Sequence, residues 1–248
     1  MTGRLQDKTA IVTGGGSGFG AGIARHFAAT GARVMVADIN HDAARNIADE
    51  IGGIAIEVDV SDNHSMQAMH AAATAHFGTL DILVNNAGVT HKPQPMEDIS
   101  EADFDRVIVV NSKSVFLAAK YFVPDMKRAG KGAILNVAST AGISPRPNLS
   151  WYNASKGWMI TATKSMAVEL APSGVRVNAI NPVAGETPLL QSFMGEDTPE
   201  IRAKFLATIP LGRFSQPSDM GHAAVFLCSD EASMITGVAL EVDGGRCI

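Results

Sequence analysis

Short apolar runs alternate with longer segments of helical spacing along most of this chain. Strands that alternate with helices are typical of an α/β fold with a parallel sheet. The apolar runs predict strands over residues 8–13, 33–38, 54–58, 81–84, 133–138, 174–180 and 237–242. The intervening segments predict helices over residues 21–30, 41–51, 151–170, 199–208 and 217–227, with a further helix ending at Phe77 and one or two helices within 101–129.

Glycines and polar residues follow several of the predicted strands. The loop 14–20 follows the first strand, Asp38 ends the second, the segment 85–88 follows the fourth and Ser139 the fifth. The carboxyl ends of parallel strands meet at one edge of a sheet, where ligands bind. We therefore expect these residues to line one crevice, with the irregular segment 187–210 as a lid over the substrate.

The loop 14–20 has the sequence Gly-Gly-Gly-Ser-Gly-Phe-Gly and lies between a predicted strand and a predicted helix. Glycine lets the backbone turn tightly and approach a ligand closely, and the start of the helix offers free N–H groups to a phosphate. This context favours dinucleotide binding. The spacing differs from Gly-x-Gly-x-x-Gly, and a purely structural glycine turn is the alternative.

Asp38 lies 18 residues after Gly20, about where a carboxylate receives the ribose hydroxyls of an adenosine. A 2′-phosphate would place like charges close together. Arg33 lies at the opposite end of the predicted strand, and Arg45 lies a turn or more into the next helix. The sequence therefore predicts NAD rather than NADP. The alternative for Asp38 is a helix cap or a turn residue.

Tyr152 and Lys156 are four residues apart, which places both on one face of a helix. A nearby ammonium favours the phenolate and lowers the pKa of a tyrosine, so this pair could move a proton to or from an alcohol oxygen. Ser139 precedes the tyrosine by thirteen residues. The alternative is a pair of unrelated residues on an amphipathic helix.

Composition limits the classes of function. The net charge of −5 and the absence of a Lys/Arg run argue against nucleic-acid binding. No apolar stretch appears long enough to span a membrane and no signal core is visible at the start, so we expect a cytoplasmic protein. The two cysteines and seven histidines lack metal-ligand spacing, and no metal is expected. Without a linker or repeat, residues 1–248 are expected to form a single domain.

Taken together, these motifs resemble the short-chain dehydrogenase/reductase family over nearly the whole chain. The matching pieces are Thr13-Gly14-x3-Gly18-Phe19-Gly20, Asp59-Val60, Asn85-Asn86-Ala87-Gly88, Asn111, Ser139, Tyr152-x3-Lys156 and Asp243-Gly244-Gly245. The resemblance implies a doubly wound, seven-stranded parallel sheet (Rossmann fold). It also implies a nicotinamide cofactor and interconversion of an alcohol and a ketone.

The resemblance also assigns roles to residues. Tyr152 would be the general acid/base, Lys156 would lower its pKa and hold the nicotinamide ribose, and Ser139 would hydrogen-bond the substrate oxygen. Asn111 would hold a water that links Lys156 to solvent. The expected NAD-binding residues are Gly14, Ser17, Gly18, Phe19, Asp38, Ile39, Asp59, Val60, Asn86, Ala87, Gly88, Tyr152, Lys156, Pro182, Gly185 and Thr187.

One segment departs from the family pattern. Many members follow the sixth strand with Pro-Gly-x3-Thr, whereas residues 182–187 read Pro-Val-Ala-Gly-Glu-Thr. Thr187 still occupies the position that contacts the cofactor, but the backbone path before it is open to question.

Three functions remain as alternatives. The leading one is an NAD(H)-dependent enzyme for a secondary alcohol or ketone. The second is a 3-oxoacyl thioester reductase, which usually goes with NADPH and a basic patch. The third is a non-catalytic dinucleotide sensor, which the presence of Ser139, Tyr152 and Lys156 disfavours.

Substrate contacts are expected from residues 90–96, 140–151 and 187–210. Their polar candidates are His91, Arg146 and Glu186, and Leu189, Leu190, Phe193 and Met194 would form an apolar wall.

A homotetramer is expected, because the helices at 101–129 and 151–172 carry apolar residues on more than one face. Val115, Phe116, Met159 and Met166 are the examples.

Overall fold

A computed structural model describes residues 3–195 and 197–248, and the strands in these ranges form one parallel sheet of seven. Its order is β3-β2-β1-β4-β5-β6-β7, so the chain starts at the centre and winds outward in both directions. The strands are β1 Thr9–Thr13, β2 Arg33–Asp38, β3 Ile54–Glu57, β4 Ile82–Asn85, β5 Gly132–Val137, β6 Val175–Pro182 and β7 Ala239–Val242. The predicted doubly wound sheet is confirmed.

Helices cover both faces of the sheet. They are α1 Gly18–Ala29, α2 His41–Ile51, α3 Asn63–Phe77, α4 Glu101–Ile108, α5 Ser114–Ala129, α6 Ser150–Leu170, α7 Leu190–Met194, α8 Pro199–Leu206 and α9 Pro217–Cys228. Short 3₁₀ turns lie at Met96–Asp98, Thr140–Gly142, Ala171–Ser173 and Asp230–Ala232.

The sheet separates two apolar layers. On one face, α1, α2 and α9 pack through side chains such as Phe27, Ile47 and Met220. On the other, α3, α5 and α6 pack through side chains such as Met69 and Phe122. Every residue of β1 is buried, as expected for a central parallel strand covered on both sides. The two layers fix the carboxyl edge of the sheet as the rigid base of the site.

The helix α1 begins at Gly18, three residues before the predicted start. Glycine has a low helix propensity, which is why the sequence pattern misses this first turn. Close packing requires the glycine: a Cβ on Gly20 would lie 2.2 Å from the carbonyl oxygen of Gly14. The loop before α1 is thereby held against its first turn.

A π turn at Val109–Lys113 joins α4 to α5, so residues 101–129 form one continuous helical run. The Ser114 N–H bonds the carbonyl of Val109, five residues back. The Ser114 hydroxyl donates to the carbonyl of Val110 at 2.6 Å, an acceptor that the widened turn would otherwise leave free. The π turn carries Asn111 at its centre, and such turns are frequent at functional sites.

The same helical run, Glu101–Ala129, is long and apolar enough to cross a membrane by length and composition. This corrects the prediction that no stretch reaches that length. Its apolar side chains, including Leu117, Phe122 and Met126, pack in the layer beneath the sheet with Ile134 of β5. Burial against the sheet accounts for this hydrophobicity, as in the core helix of a globular fold.

Candidate active site

A cleft of about 460 Å³ lies at the carboxyl edge of the sheet. All the predicted site residues except Asn111 line this cleft. They are Gly14, Ser17, Gly18, Phe19, Asp38, Ile39, Asp59, Val60, Asn86, Ala87, Gly88, Ser139, Tyr152, Lys156, Pro182, Gly185 and Thr187. Residues separated by more than 170 positions thus share one cavity.

The glycine loop is held in place by Asn86. The Asn86 side-chain amide donates to the carbonyls of Thr13 at 2.8 Å and Gly14 at 3.0 Å. The space is tight, because a Cβ on Gly14 would lie 2.9 Å from the Cα of Ala87. The segment after β4 therefore fixes the loop after β1.

The start of α1 is open toward the cleft. Ser17 occupies the N-cap position without a side-chain cap hydrogen bond, and the first turn of α1 has no acidic residue. Nothing in the described side chains therefore neutralises the positive end of this helix, which suits a phosphate. Thr187 approaches the same point: its Cβ lies 3.2 Å from where a Cβ on Gly18 would lie.

Asp38 is held at the end of β2 by two backbone donors. Its Oδ2 accepts from the Gly16 N–H at 2.9 Å, and its Oδ1 accepts from the Asn40 N–H at 3.0 Å. Each carboxylate oxygen keeps a further lone pair for a ligand hydroxyl. Ile39 beside it is 69% exposed and lines the cleft, offering an apolar surface.

Asp59 and Val60 line the cleft beside Asp38. The Asp59 Oδ1 accepts from the Ser61 N–H at 2.8 Å and from the Ser61 hydroxyl at 2.6 Å. These bonds turn the chain after β3 and leave the other carboxylate oxygen of Asp59 without a protein donor among the described residues.

The opposite end of the cleft carries Ser139, Tyr152 and Lys156, which are 8%, 5% and 4% exposed. Tyr152 and Lys156 lie on α6, and Ser139 follows β5. The Lys156 ammonium donates to the carbonyl of Val137 at 2.9 Å and lies 5.8 Å from the centre of the Tyr152 ring. The structure therefore brings together the three residues that the sequence placed in one catalytic group.

Burial sets the ionisation of this pair. It raises the pKa of Tyr152 to about 12, although a hydrogen bond with Ser139 acts in the opposite direction. It lowers the pKa of Lys156 to about 8. The pKa of Tyr152 thus lies above its ordinary value, opposite to the lowering expected from the ammonium, and desolvation of the phenolate is the main cause.

Asn111 lies behind the cleft and is fully buried. Its side chain forms a two-way clamp with Val89: Nδ2 donates to the Val89 carbonyl at 2.9 Å, and Oδ1 accepts from the Val89 N–H at 2.9 Å. Nδ2 also lies 3.0 Å from the Ser155 hydroxyl. Asn111 therefore fixes the segment after β4 to the Tyr152 helix, and it is not a helix-surface residue.

The lid has a small core of its own. Val183, the residue that departs from the family pattern, is buried with Leu190, Ile209 and Phe214. Gly185 forms a bridge with Ser215, so the altered segment follows a defined path into the lid. The Phe193 ring on α7 packs against the Tyr152 ring with a centroid distance of 5.0 Å, which places the lid over the phenol.

The predicted substrate contacts are only partly reproduced. Leu189, Leu190, Phe193 and Arg146 line the cleft, whereas Met194 is buried within the lid core. His91 is buried and does not line the cleft; its Nδ1 contacts the Lys92 carbonyl at 2.9 Å. Glu186 pairs with Arg202 at 3.0 Å instead of facing the cleft.

Some lining residues lie outside the predicted substrate segments and were missed by the sequence reasoning. They are small or apolar and carry no chemical signal: Val58, Val89, Val110, Val137, Ala138, Val183 and Ala184. Thr140, Ala141, Leu149, Pro188 and Phe205 lie within the predicted segments 140–151 and 187–210, although the sequence did not single them out. No group of His, Cys, Asp or Glu suited to a metal occurs in ranges 3–195 and 197–248.

Burial of Lys156 yields a testable effect on stability. Its pKa is about 8 in the folded protein and 10.5 ordinarily, so the unfolded chain binds more protons between these values and stability rises with pH across that window. Below pH 8 the buried charge costs on the order of 3 kcal/mol. Lys156→Met is therefore expected to have a higher free energy of unfolding than the wild type at pH 7. The loss of the hydrogen bond to the Val137 carbonyl offsets part of this gain.

Denaturant unfolding at pH 7 and pH 9.5 measures this effect. The gain of Lys156→Met should shrink at the higher pH, while Lys164→Met, an exposed change on the same helix, should show no such trend. A loss of stability in Lys156→Met at both pH values would contradict the assignment of a costly buried charge.

The fold and the cleft together define a dinucleotide-binding oxidoreductase. A family model described as Enoyl-(Acyl carrier protein) reductase matches residues 14–246. A 4-formylbenzenesulfonate dehydrogenase of Comamonas testosteroni is 51% identical over 98% of this chain and 99% of that protein. The 7alpha-hydroxysteroid dehydrogenase of Escherichia coli K12 is 40% identical over 98% and 95% of the two chains.

Among solved structures, a 3-ketoacyl-(acyl-carrier-protein) reductase of Brucella melitensis complexed with NADH matches with a TM-score of 0.94. It is 50% identical and covers 98% of this chain and 100% of that one. The chain belongs to the short-chain dehydrogenase/reductase family. It is accordingly an oxidoreductase of the alcohol–carbonyl class that uses a nicotinamide dinucleotide.

Proposed function

We propose that this protein is an NAD(H)-dependent oxidoreductase that interconverts a secondary alcohol and a ketone. The observation that carries the proposal is the single cleft that joins Asp38 at one end to Ser139 and Tyr152 at the other. A cofactor that reaches from the carboxylate to the phenol would present its reactive ring to a substrate beneath the lid.

The residues present fit such a cofactor. The uncapped start of α1 suits its phosphates, Asp38 suits the adenosine ribose, and the exposed Ile39 suits the adenine ring. Thr187 of the lid lies beside the glycine loop, where it could contact the cofactor. When bound, the nicotinamide supplies or takes up the hydride, and the protein supplies position and proton.

Tyr152 holds the proton in this mechanism. With a pKa of about 12 the phenol is protonated at neutral pH, so it is suited to donate its proton to the carbonyl oxygen during reduction. Ser139 orients the same oxygen through its hydroxyl. Lys156 places a positive charge near the phenol and balances the charge that develops there when the proton leaves.

Asn111 has a positioning role in the proposal. Its hydrogen bonds to Val89 and its contact with Ser155 hold the segment after β4, which contains the expected cofactor residues 86–88, against the Tyr152 helix. The role as holder of a water that links Lys156 to solvent stays a prediction.

The two other functions are less well supported. A 3-oxoacyl thioester reductase has the support of the family description and of the Brucella melitensis relative. That function usually goes with NADPH, however, whose 2′-phosphate would lie beside the Asp38 carboxylate. A non-catalytic sensor would have no need of the buried Ser139, Tyr152 and Lys156.

Loss of NADH absorbance with a panel of ketones tests the proposal. The panel contains aliphatic, cyclic and aromatic ketones and an acetoacetyl thioester, and each is tried with NADH and NADPH. Turnover of a simple ketone with NADH is the expected result. Exclusive turnover of the thioester would favour the second function, and cofactor binding without any turnover would favour the sensor.

We also propose a homotetramer that works in the cytoplasm, where the nicotinamide pool is available. Phe116 on α5 and Trp158 and Val168 on α6 are 57%, 44% and 80% exposed, so both helices present apolar surface. Val115 and Met159, named in the sequence argument, are core residues instead. Light scattering at micromolar concentration should give four times the chain mass of 26.0 kDa, and a monomer mass would refute the proposal.

A further inference from the structure

One arginine lines the catalytic end of the cleft. Arg146 lies on the loop between β5 and α6, and its guanidinium carbon lies over the Phe205 ring at 4.4 Å from the centroid. It also donates to the Thr208 hydroxyl at 3.1 Å. Burial, and then the positive charge of Arg246, lower the pKa of Arg146. The cleft therefore holds a partly desolvated cation beside a second one.

Among residues 3–195 and 197–248, no carboxylate lies within salt-bridge distance of Arg146 or Arg246. Arg202, which also stacks on a lid phenylalanine, is by contrast paired with Glu186 and Asp197. A partly buried charge without a counterion is costly, and such groups concentrate at ligand sites.

Arg246 adds to the unbalanced charge. Its Nη1 donates to the Ser144 hydroxyl at 3.0 Å, on the same loop as Arg146. Its Nε is buried and has no hydrogen-bond partner among the described residues. The loop that precedes the Tyr152 helix therefore carries one arginine, Arg146, and contacts a second, Arg246. Both have N–H groups without a hydrogen-bond partner among the described residues.

A hydrogen bond ties the backbone of Arg146 to the Tyr152 helix. Its carbonyl accepts from the Asn153 side chain at 2.8 Å, and Asn153 is the residue next to Tyr152. Pro145 and Pro147 flank Arg146 and restrict the backbone on both sides. The loop that carries Arg146 is therefore held against the helix that carries Tyr152, and both side chains line one cleft, as a substrate-orienting group requires.

We propose that the substrate carries an anionic substituent, a carboxylate or a sulfonate, and that Arg146 binds it within the cleft while Arg246 adds a second positive charge. The planar guanidinium can offer two parallel N–H donors to such a group. The aromatic ring of Phe205 and the apolar side chains of Leu149 and Phe193 would contact the body of the substrate. The proposal rests on the oxidoreductase function, and the anion itself is unchanged in the reaction.

A purely structural role is the competing explanation. Arg146 could serve only to hold the lid through Phe205 and Thr208. In that case its loss would alter anionic and neutral substrates alike. Charge recognition predicts instead a selective effect on KM for anions, so the comparison of substrates separates the two roles.

The test uses 4-acetylbenzoate and 4-acetylbenzenesulfonate with NADH, against the neutral 4-acetylbenzamide. The wild type should prefer the anions in kcat/KM by at least about tenfold. Arg146→Gln should lose about tenfold to a hundredfold on the anions, mainly in KM, with little change on the amide. Arg146→Lys should recover part of the loss, and Arg246→Gln should show a smaller selective loss.

Arg202→Gln is the matched control, because it removes a lid arginine whose charge is already paired. It should affect anionic and neutral ketones equally. Equal kcat/KM for all three ketones in the wild type, or an equal loss in Arg146→Gln, would overturn the proposal and leave the oxidoreductase function intact.

Binding provides a readout that does not depend on turnover. Calorimetry should detect binding of 4-acetylbenzoate to the wild type in the presence of NAD and a loss of that binding in Arg146→Gln. If no ketone is reduced but this difference is found, the oxidoreductase function fails and the anion site stands. If the anion binds equally to both proteins, the anion site is wrong.

Discussion

Replacement of Tyr152 by Phe is expected to reduce kcat by about 10²–10⁴-fold, and by more if the phenol is the sole proton donor. Cofactor affinity should stay close to that of the wild type. The change removes one hydroxyl from a side chain that is 5% exposed and keeps the ring that packs against Phe193. The site should therefore keep its shape while it loses its acid.

The raised pKa of Tyr152 sharpens this expectation. Because the phenol holds its proton up to a pKa of about 12, the wild type presents a proton donor at every pH at which the protein is normally assayed. The loss should therefore appear in kcat rather than in KM.

Single-turnover reduction of an accepted ketone and NADH binding by fluorescence measure the two quantities separately. Tyr121→Phe is the matched control, since the chain has two tyrosines and the Tyr121 hydroxyl bonds Asn63 on the outer helices. It should keep nearly full activity. More than half of the wild-type kcat in Tyr152→Phe would remove Tyr152 from the mechanism.

The chain's pattern predicts the parts of the site that depend on topology. Residues after β1, β2, β4 and β5 had to meet at one edge, and they do, because parallel strands bring their carboxyl ends together. Tyr152 and Lys156 were found by the chemistry of their side chains and by helical spacing, and the role of Ser139 followed from the family resemblance. These inferences needed no knowledge of tertiary packing.

Properties that depend on burial could not be predicted in this way. The ammonium of Lys156 suggested a lowered phenol pKa, but desolvation dominates once α6 is packed beneath the lid. His91 looked like a loop residue facing the substrate, yet it is 1% exposed. Glu186 has a suitable charge for a substrate contact, but it forms an ion pair with Arg202 on the lid helix α8. Each error arises from burial or pairing that the local sequence pattern does not show.

The role of Asn111 also depends on packing. The sequence left open one or two helices within 101–129, whereas the structure has one helical run that continues through a π turn at Asn111. The buried side chain contacts Val89 and Ser155, two residues that the local sequence pattern does not connect to it.

The wild type is expected to prefer NADH over NADPH by at least about tenfold in kcat/KM, equivalent to ~1.4 kcal/mol. The Asp38 carboxylate is fixed by the Gly16 and Asn40 N–H groups at the position where a ribose hydroxyl would bind. A 2′-phosphate would lie within a few ångströms of it, at a cost of about 1–4 kcal/mol at 4 Å and intermediate dielectric.

The surrounding residues give a 2′-phosphate no compensation. A Cβ on Gly16 would lie 2.9 Å from the Asp38 Oδ2, so the loop has no room for a basic side chain at that point. Arg33 lies over the Phe77 ring at 5.3 Å, and Arg45 pairs with Asp49 at 3.8 Å. Arg25 is held by Glu50 at 2.7 Å. The arginines closest along the chain are therefore already engaged.

Substitution of Asp38 tests this directly, with kcat/KM measured for both cofactors on one accepted ketone. Asp38→Asn keeps the shape and removes the charge, and Asp38→Ser also opens space, so the NADH preference should fall in the first and fall further in the second. Asp42→Ser, an exposed carboxylate in the first turn of α2, makes the same change in net charge and should leave the preference unaltered. Equal use of both cofactors by the wild type would mean that Asp38 does not face the ribose. An unchanged preference in both Asp38 variants would place the discrimination in the backbone of the glycine loop, because the charge would then have no part in it.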